Sequence, residues 1–184
     1  MTPAPTPVAV VGVGHMGRHH ARLYRELPEA QLVCVVDANE ERAAQCAKEF
    51  GAKPFTSIDQ IPPTVKAVTV AVPTSHHLSV AEQLLKRGIA VLVEKPLAAT
   101  VAEAQQLLDC ARQTGSLLTV GHTERFNPIV RAIQRLEIRP KYIETQRISP
   151  FRFRSADIGV VSDMMIHDID IVLHLVRSKV ARVE

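Results

Sequence analysis

An α/β fold built on a doubly wound parallel sheet is what this sequence predicts, and three observations predict it. Apolar runs of strand length alternate with segments of helical period from residue 8 to about residue 121. Several of the runs, Gln31 to Val36 and Lys66 to Val72 among them, are nearly unbroken, as parallel strands covered on both faces are. The first run, Val8 to Val11, passes straight into Gly12-x-Gly14-x-x-Gly17 before a helical pattern opens.

In chain order, residues 1–7 hold three prolines and read as a short extended leader. Val8–Val11 is the first strand. Arg18 to Leu27 reads as a helix stopped by Pro28, and Gln31–Val36 as a strand ending in Asp37. Asn39 suits a cap for a helix through Phe50, closed by Gly51. Lys66–Val72 is the next strand, Ser75 to Arg87 the next helix, and Ala90–Val93 a strand leading into Glu94-Lys95-Pro96. Thr100-Val-Ala-Glu103 has the form of a capping box before a helix that Gly115 ends, and Ser116–Val120 closes the series as a strand. The first domain thus covers residues 8–121. A second, 122–184, opens with a helix from Asn127-Pro128 to Glu137. In it Lys141–Ile148 alternates like a strand, residues 149–162 show no period, Asp163–Val176 is a helix, and Lys179–Glu184 resembles the start of a further strand.

Composition limits the functional classes. Of 184 residues, 46% are hydrophobic and 22% charged, as in ordinary globular proteins. A net charge of +3 with 4% aromatics and no Trp gives little to hold or stack nucleic acid, so no nucleic-acid partner is expected. Cys34, Cys46 and Cys110 are odd in number and widely spaced, which suits unpaired thiols in a reducing cytosol. No apolar run approaches a membrane span, and the N-terminus lacks a signal-peptide pattern; a cytoplasmic protein with no membrane partner is the expectation.

The chemistry-bearing residues follow from position. A strand that ends in Gly12-Val-Gly-His-Met-Gly17 lets backbone amides approach a pyrophosphate, while the next helix directs its positive end at the same anion. Asp37, at the end of the second strand, stands where an acid binds a ribose 2′-hydroxyl and repels a 2′-phosphate, which favours NAD over NADP. Lys95 sits at the carboxyl end of a buried strand beside Glu94, placed to give or take a proton; a surface ion pair is the plainer alternative. Asp163, His167, Asp170 and His174 form one stripe on an otherwise apolar helix, with Asp168 off it; such a helix is expected to be buried. Asp163 with His167 could relay protons or help hold a metal, for which no further ligands are visible, or the stripe could simply face solvent. In and beside residues 125–154, eight basic side chains outnumber Glu124, Glu137 and Glu144. That surplus suits a phosphorylated small molecule, with Arg147, Arg152 and Arg154 better placed than Arg131, Arg135 and Arg139.

Together these pieces resemble the Gfo/Idh/MocA family of nicotinamide-dependent oxidoreductases. The resemblance rests on Gly12-Val-Gly-His-Met-Gly17, Ala71-Val-Pro-Thr-Ser-His-His77, Glu94-Lys-Pro-Leu97 and Asp163-x-x-x-His167-x-x-Asp170, and runs from Val8 to about Val176. It implies a Rossmann domain followed by the start of an α+β substrate domain. It further implies catalytic roles for Lys95, Asp163 and His167, and NAD contacts from Gly12, Gly14, His15, Met16, Gly17, Asp37 and Glu94. Pro73, Thr74 and His77 match the segment passing the nicotinamide end. Gly121-His-Thr-Glu-Arg-Phe-Asn-Pro128 and residues 159–170 look most like members that oxidise a nucleotide sugar, UDP-N-acetylglucosamine, at its 3-position. Arg125, Asn127 and Arg154 are then candidate substrate contacts. Family members complete the second domain with a large antiparallel sheet that supplies a dimer interface, so a homo-oligomer is implied once that sheet is present. This sequence stops after the catalytic helix; the competing expectations are an inositol or free-sugar dehydrogenase of the same family and a non-catalytic NAD(H)-binding module.

Overall fold

The parallel sheet has its six strands in the order β3-β2-β1-β4-β5-β6. They are β1 Thr6–Val11, β2 Ala30–Val36, β3 Lys53–Phe55, β4 Ala67–Val70, β5 Ala90–Val93 and β6 Leu118–Val120. The helices are α1 His15–Glu26, α2 Glu40–Phe50, α3 His77–Lys86, α4 Val101–Thr114, α5 Pro128–Arg135 and α6 Ile166–Val176. This is a computed structural model, and it describes residues 4–136, 138–148 and 159–184. The chain divides into two compact units, one ending at Gly121 and one beginning at His122.

In the first unit, alternate residues of each strand serve opposite helical layers. Val8 and Val10 of β1 pack with Leu32, Val35, Ala21 of α1 and Cys46, Ala47 and Phe50 of α2. Ala9 and Val11 pack on the other side with Val68, Val70, Leu84 and Leu85 of α3 and Leu107 of α4. Leu84, Leu85 and Leu107 are wholly buried, each stabilising the fold by about 1.5–3 kcal/mol relative to exposure. The caps follow the sequence: the Asn39 carboxamide accepts from Arg42 N at 2.8 Å, and Gly51 and Gly115 end α2 and α4 at positive φ. The Thr100 hydroxyl accepts from Glu103 N, but the Glu103 carboxylate reaches back to Ala99 N, one residue before the box predicts.

Three expectations change here. Helix α1 begins at His15, not Arg18, so Gly17 lies inside its first turn. Strand β3 is additional; it is three residues long and carries Pro54, which an edge strand tolerates because its outer side has no ladder to donate to. Neither Lys141–Ile148 nor Lys179–Glu184 forms a strand. A strand needs a neighbour to satisfy its backbone groups, and among the described residues the second unit contains none.

Among the described residues, that second unit contains a 3-10 turn over Thr123–Phe126, α5, and a π-helical turn over Val161–Met165 that runs into α6. The expected burial of the last helix is not found. Of α6 only Asp170 is buried, whereas Ile169 and Leu173 are 40% and 43% exposed. An apolar helix surface is buried only by another apolar surface, and the described part of this unit supplies too little of it. Among the described residues no helix is long and apolar enough to cross a membrane.

Candidate cofactor and active site

The strand order reverses between β1 and β4, and in open α/β sheets the crevice at the carboxyl ends of such strands is where ligands bind. The glycine turn stands at that point. Gly12 has φ +82°, and a Cβ there would lie 2.7 Å from the main chain of Ala71 and Val72, so only glycine lets β1 close against the end of β4. A Cβ on Gly17 would lie 1.7 Å from the Gly12 carbonyl oxygen, so the first turn of α1 rests directly on the turn. A Cβ on Gly14 would meet nothing within 4 Å. A closed turn with open space at its centre and a helix N-terminus behind it fits a pyrophosphate. His15 and Met16 are exposed at the start of α1, beside that space.

Asp37 follows β2 and is 8% exposed. Its Oδ2 accepts from Val13 N and its Oδ1 from Asn39 N, both at 2.9 Å, and the Arg42 guanidinium lies 3.5 Å away. The carboxylate therefore pins the glycine turn, and each oxygen retains a lone pair for a ribose hydroxyl.

On the same sheet edge, β5 delivers Glu94, Lys95 and Pro96. Glu94 is buried; its Oε1 is 2.7 Å from His20 Nε2 of α1, and its Oε2 accepts from Lys95 N at 3.3 Å. Burial alone would raise this carboxyl's pKa, but the His20 hydrogen bond and charge, with the Lys95 amide and ammonium, hold it below the usual range. Lys95 itself is half-buried, and the Lys95–Pro96 peptide is cis. Thr74 is buried and Pro73 exposed. The His77 ring is 1% exposed, with Nδ1 2.8 Å from the Pro96 carbonyl oxygen and Nε2 3.0 Å from that of Val72. Both nitrogens face main-chain carbonyls of the two turns around the ring.

In the second unit, Asp163 lies within the π-helical turn, its amide donating to Gly159 O at 3.0 Å, and His167 is the second residue of α6; both are half-buried. Such turns recur at functional sites. Two arginines expected to face a phosphorylated ligand have protein partners. The Arg125 guanidinium donates to both oxygens of buried Asp170, at 2.8 and 2.5 Å, and Arg147 donates to both oxygens of Asp168, at 2.8 and 2.9 Å. Burial opposes ionisation of Asp170, yet Arg125, with His122 and His174, holds its pKa below the usual carboxylate range; Arg147 does the same for Asp168. Asn127 caps α5 through Ile129 N and donates to Glu124. Arg152 and Arg154 lie outside the described residues. Among the described residues, no group of three or more His, Cys, Asp or Glu side chains is placed to hold a metal ion.

Residues 6–122, the glycine turn, the Lys95 strand and the whole sheet between them, match the model of the Gfo/Idh/MocA oxidoreductase family, NAD-binding Rossmann fold. The chain belongs to that family. NAD is the cofactor of the matched family domain, and the closed glycine turn, the space at Gly14 and the Asp37 carboxylate fit it. Among relatives, this Gfo/Idh/MocA chain is 40% identical over 90% of its length to UDP-N-acetylglucosamine 3-dehydrogenase of Acidithiobacillus ferrooxidans, covering 53% of that protein. It is 32% identical over 95% of its length to scyllo-inositol 2-dehydrogenase (NAD(+)) of Bacillus subtilis, covering 55% of it. A solved structure of the Acidithiobacillus enzyme superimposes with a TM-score of 0.89 at 38% identity, over 96% of this chain and 58% of that one. A protein of gentamicin A biosynthesis in complex with NAD gives 0.84 at 29% identity, over 95% of this chain and 54% of that one. The chain thus spans about half the length of the relatives it matches.

Sequence reasoning did not find His20 as the partner of Glu94, 74 residues away, nor Arg125 as the partner of Asp170, 45 residues away. Each pairing is made by the fold, and no local spacing announces it.

Proposed function

We propose that this chain carries the cofactor domain and the first catalytic elements of an NAD-dependent dehydrogenase that oxidises a sugar hydroxyl, with a nucleotide sugar such as UDP-N-acetylglucosamine as substrate. The observation that carries the reading lies within the first unit. Lys95 and the glycine turn both stand at the carboxyl ends of parallel strands, on one edge of one sheet. Gly12, Gly14, His15, Met16, Gly17 and Asp37 hold the dinucleotide, and Pro73, Thr74 and the Glu94 turn border its nicotinamide end. Bound NAD+ supplies the acceptor for the hydrogen and electron pair leaving the substrate carbon. Lys95 and His167 take the hydroxyl proton, and Asp163 orients the His167 ring. Arg125, Asn127 and Arg154 are assigned to the substrate; for Arg125 this means an arginine already fixed by Asp170, a preorganised rather than a mobile cation. The 40% identity to a UDP-N-acetylglucosamine 3-dehydrogenase supports the nucleotide sugar and the 3-position.

A second reading, oxidation of a cyclic polyol, has its own support in the 32% identity to a scyllo-inositol dehydrogenase over 95% of the chain. The test is NADH formation with UDP-N-acetylglucosamine, myo- and scyllo-inositol and free hexoses, alongside an NADH fluorescence titration. Turnover of the nucleotide sugar supports the first reading, and turnover of inositol alone replaces it with the second. NADH binding without turnover of any of them overturns catalysis by this chain.

A further inference from the structure

Lys95 is useful as an acid or base only if its main chain holds it still, because small misplacements of a reacting group cost large factors in rate. The turn carrying it leaves the sheet at Val93, and its backbone is held at two points. The amide of Lys95 donates to Glu94, which α1 steadies through His20. The carbonyl just beyond it, on Pro96, faces His77 of α3, which belongs to the opposite helical layer. His77 also reaches back to the Val72 carbonyl, at the turn after β4. One buried imidazole thus stands between the two turns that leave neighbouring strands β4 and β5, with a carbonyl oxygen facing each ring nitrogen.

We propose that His77 is a positioning residue for Lys95: an N–H on its Nδ1 donates to the Pro96 carbonyl and fixes it, while the other ring nitrogen carries no proton. The inference rests on the reading of Lys95 as catalytic for its consequence in rate, but the positioning itself stands on the burial of the ring and its contact with the Pro96 carbonyl. A neutral imidazole donates through one nitrogen only, so the proposal fixes which one carries the proton.

Two substitutions separate the two contacts. The carboxamide nitrogen of His77→Asn falls near the position of Nδ1, and that of His77→Gln near Nε2. If the Pro96 contact matters, His77→Asn keeps the Lys95 amide exchange rate and kcat within about 3-fold of the parent, while His77→Gln raises the first and lowers the second about 10-fold or more. KM for NAD stays within about 3-fold in both, because both ring nitrogens face main-chain carbonyls. Equal behaviour of the two variants, or loss confined to KM for NAD, overturns the proposal. Imidazole nitrogen NMR on the unmodified chain gives a reading that no folding defect can confuse: a protonated Nδ1 supports it and a bare Nδ1 refutes it. If the parent chain turns over no substrate, the amide exchange and ring NMR still decide the positioning role, so its failure is distinct from failure of the enzymatic reading.

Discussion

Gly14 and Gly17 are three residues apart in one turn, yet alanine is expected to act oppositely at the two. A Cβ on Gly17 would sit 1.7 Å from the Gly12 carbonyl oxygen, a main-chain atom that cannot rotate away. Restoring ordinary contact at about 3.5 Å requires α1 and the turn to part by roughly 1.5–2 Å. Overpacking of that kind costs about 3 kcal/mol, which for a chain of this size lowers Tm by about 6–12 °C. It also displaces the amides at the start of α1 beyond hydrogen-bond reach of a phosphate, so NADH binding falls with it. Gly14→Ala meets no protein atom. Its Tm is expected to stay within about 2 °C of the parent, while the methyl group occupies the space that fits the pyrophosphate and weakens NADH binding about 10-fold or more. Gly115→Ala, at φ +66° beyond α4, is the control: about 1 kcal/mol of stability lost and NADH binding unchanged. Thermal melting by circular dichroism and NADH fluorescence titration read the two effects separately. Unchanged binding in Gly14→Ala, or an unchanged Tm in Gly17→Ala, refutes the assignment of the turn.

Other outcomes follow from the same geometry. Leu84→Ala, at a wholly buried position of α3, is expected to cost about 2–5 kcal/mol in urea unfolding. Asp37→Ser removes the acceptor of two amides and frees Arg42, so NADH affinity should fall and the preference over NADPH should narrow, as paired titrations would show. Glu94, Asp168 and Asp170 have pKa values below their ordinary ones, so each contributes stability that is complete above the unfolded-state pKa near 4 and lost as pH falls through the lower folded-state value. Acid unfolding should therefore begin below about pH 4, and Asp170→Asn should flatten that limb. The same substitution should cost about 1–2 kcal/mol at neutral pH, less than a fully buried pair because Arg125 is 44% exposed. Burial pushes the Cys34 and Cys46 thiols up to about 11, so in the native chain both should react with a thiol reagent far more slowly than after denaturation.

Much of the first unit was legible because its elements announce themselves locally. Unbroken apolar runs mark β1, β2, β4 and β5, and Asn39, Gly51, Thr100 and Gly115 punctuate the helices. The glycine turn and Asp37 stood where their spacing put them. What the sequence did not disclose is pairing. Strand β3 is too short and too proline-bearing to show a period, and it exists because β2 offers it a ladder. Lys141–Ile148 shows the period and lacks the ladder. Arg125 finds its carboxylate in Asp170, 45 residues away, and His77 has the carbonyls of two separate turns facing its ring, pairings that no local spacing announces. In each case the local pattern states what a segment is able to do, and a distant residue determines what it does.

The two outermost strands of the sheet, β3 and β6, are both only three residues long. A sheet invites association with other chains through the unpaired amides and carbonyls along its margins, and the invitation grows with their length. Here the longest strands, β1 and β2, lie inside, and one margin is further blunted by Pro54, which has no amide to offer. The first unit is thereby poorly suited as a template for intermolecular strand addition, which favours recovery of dispersed protein at the concentrations the binding experiments require.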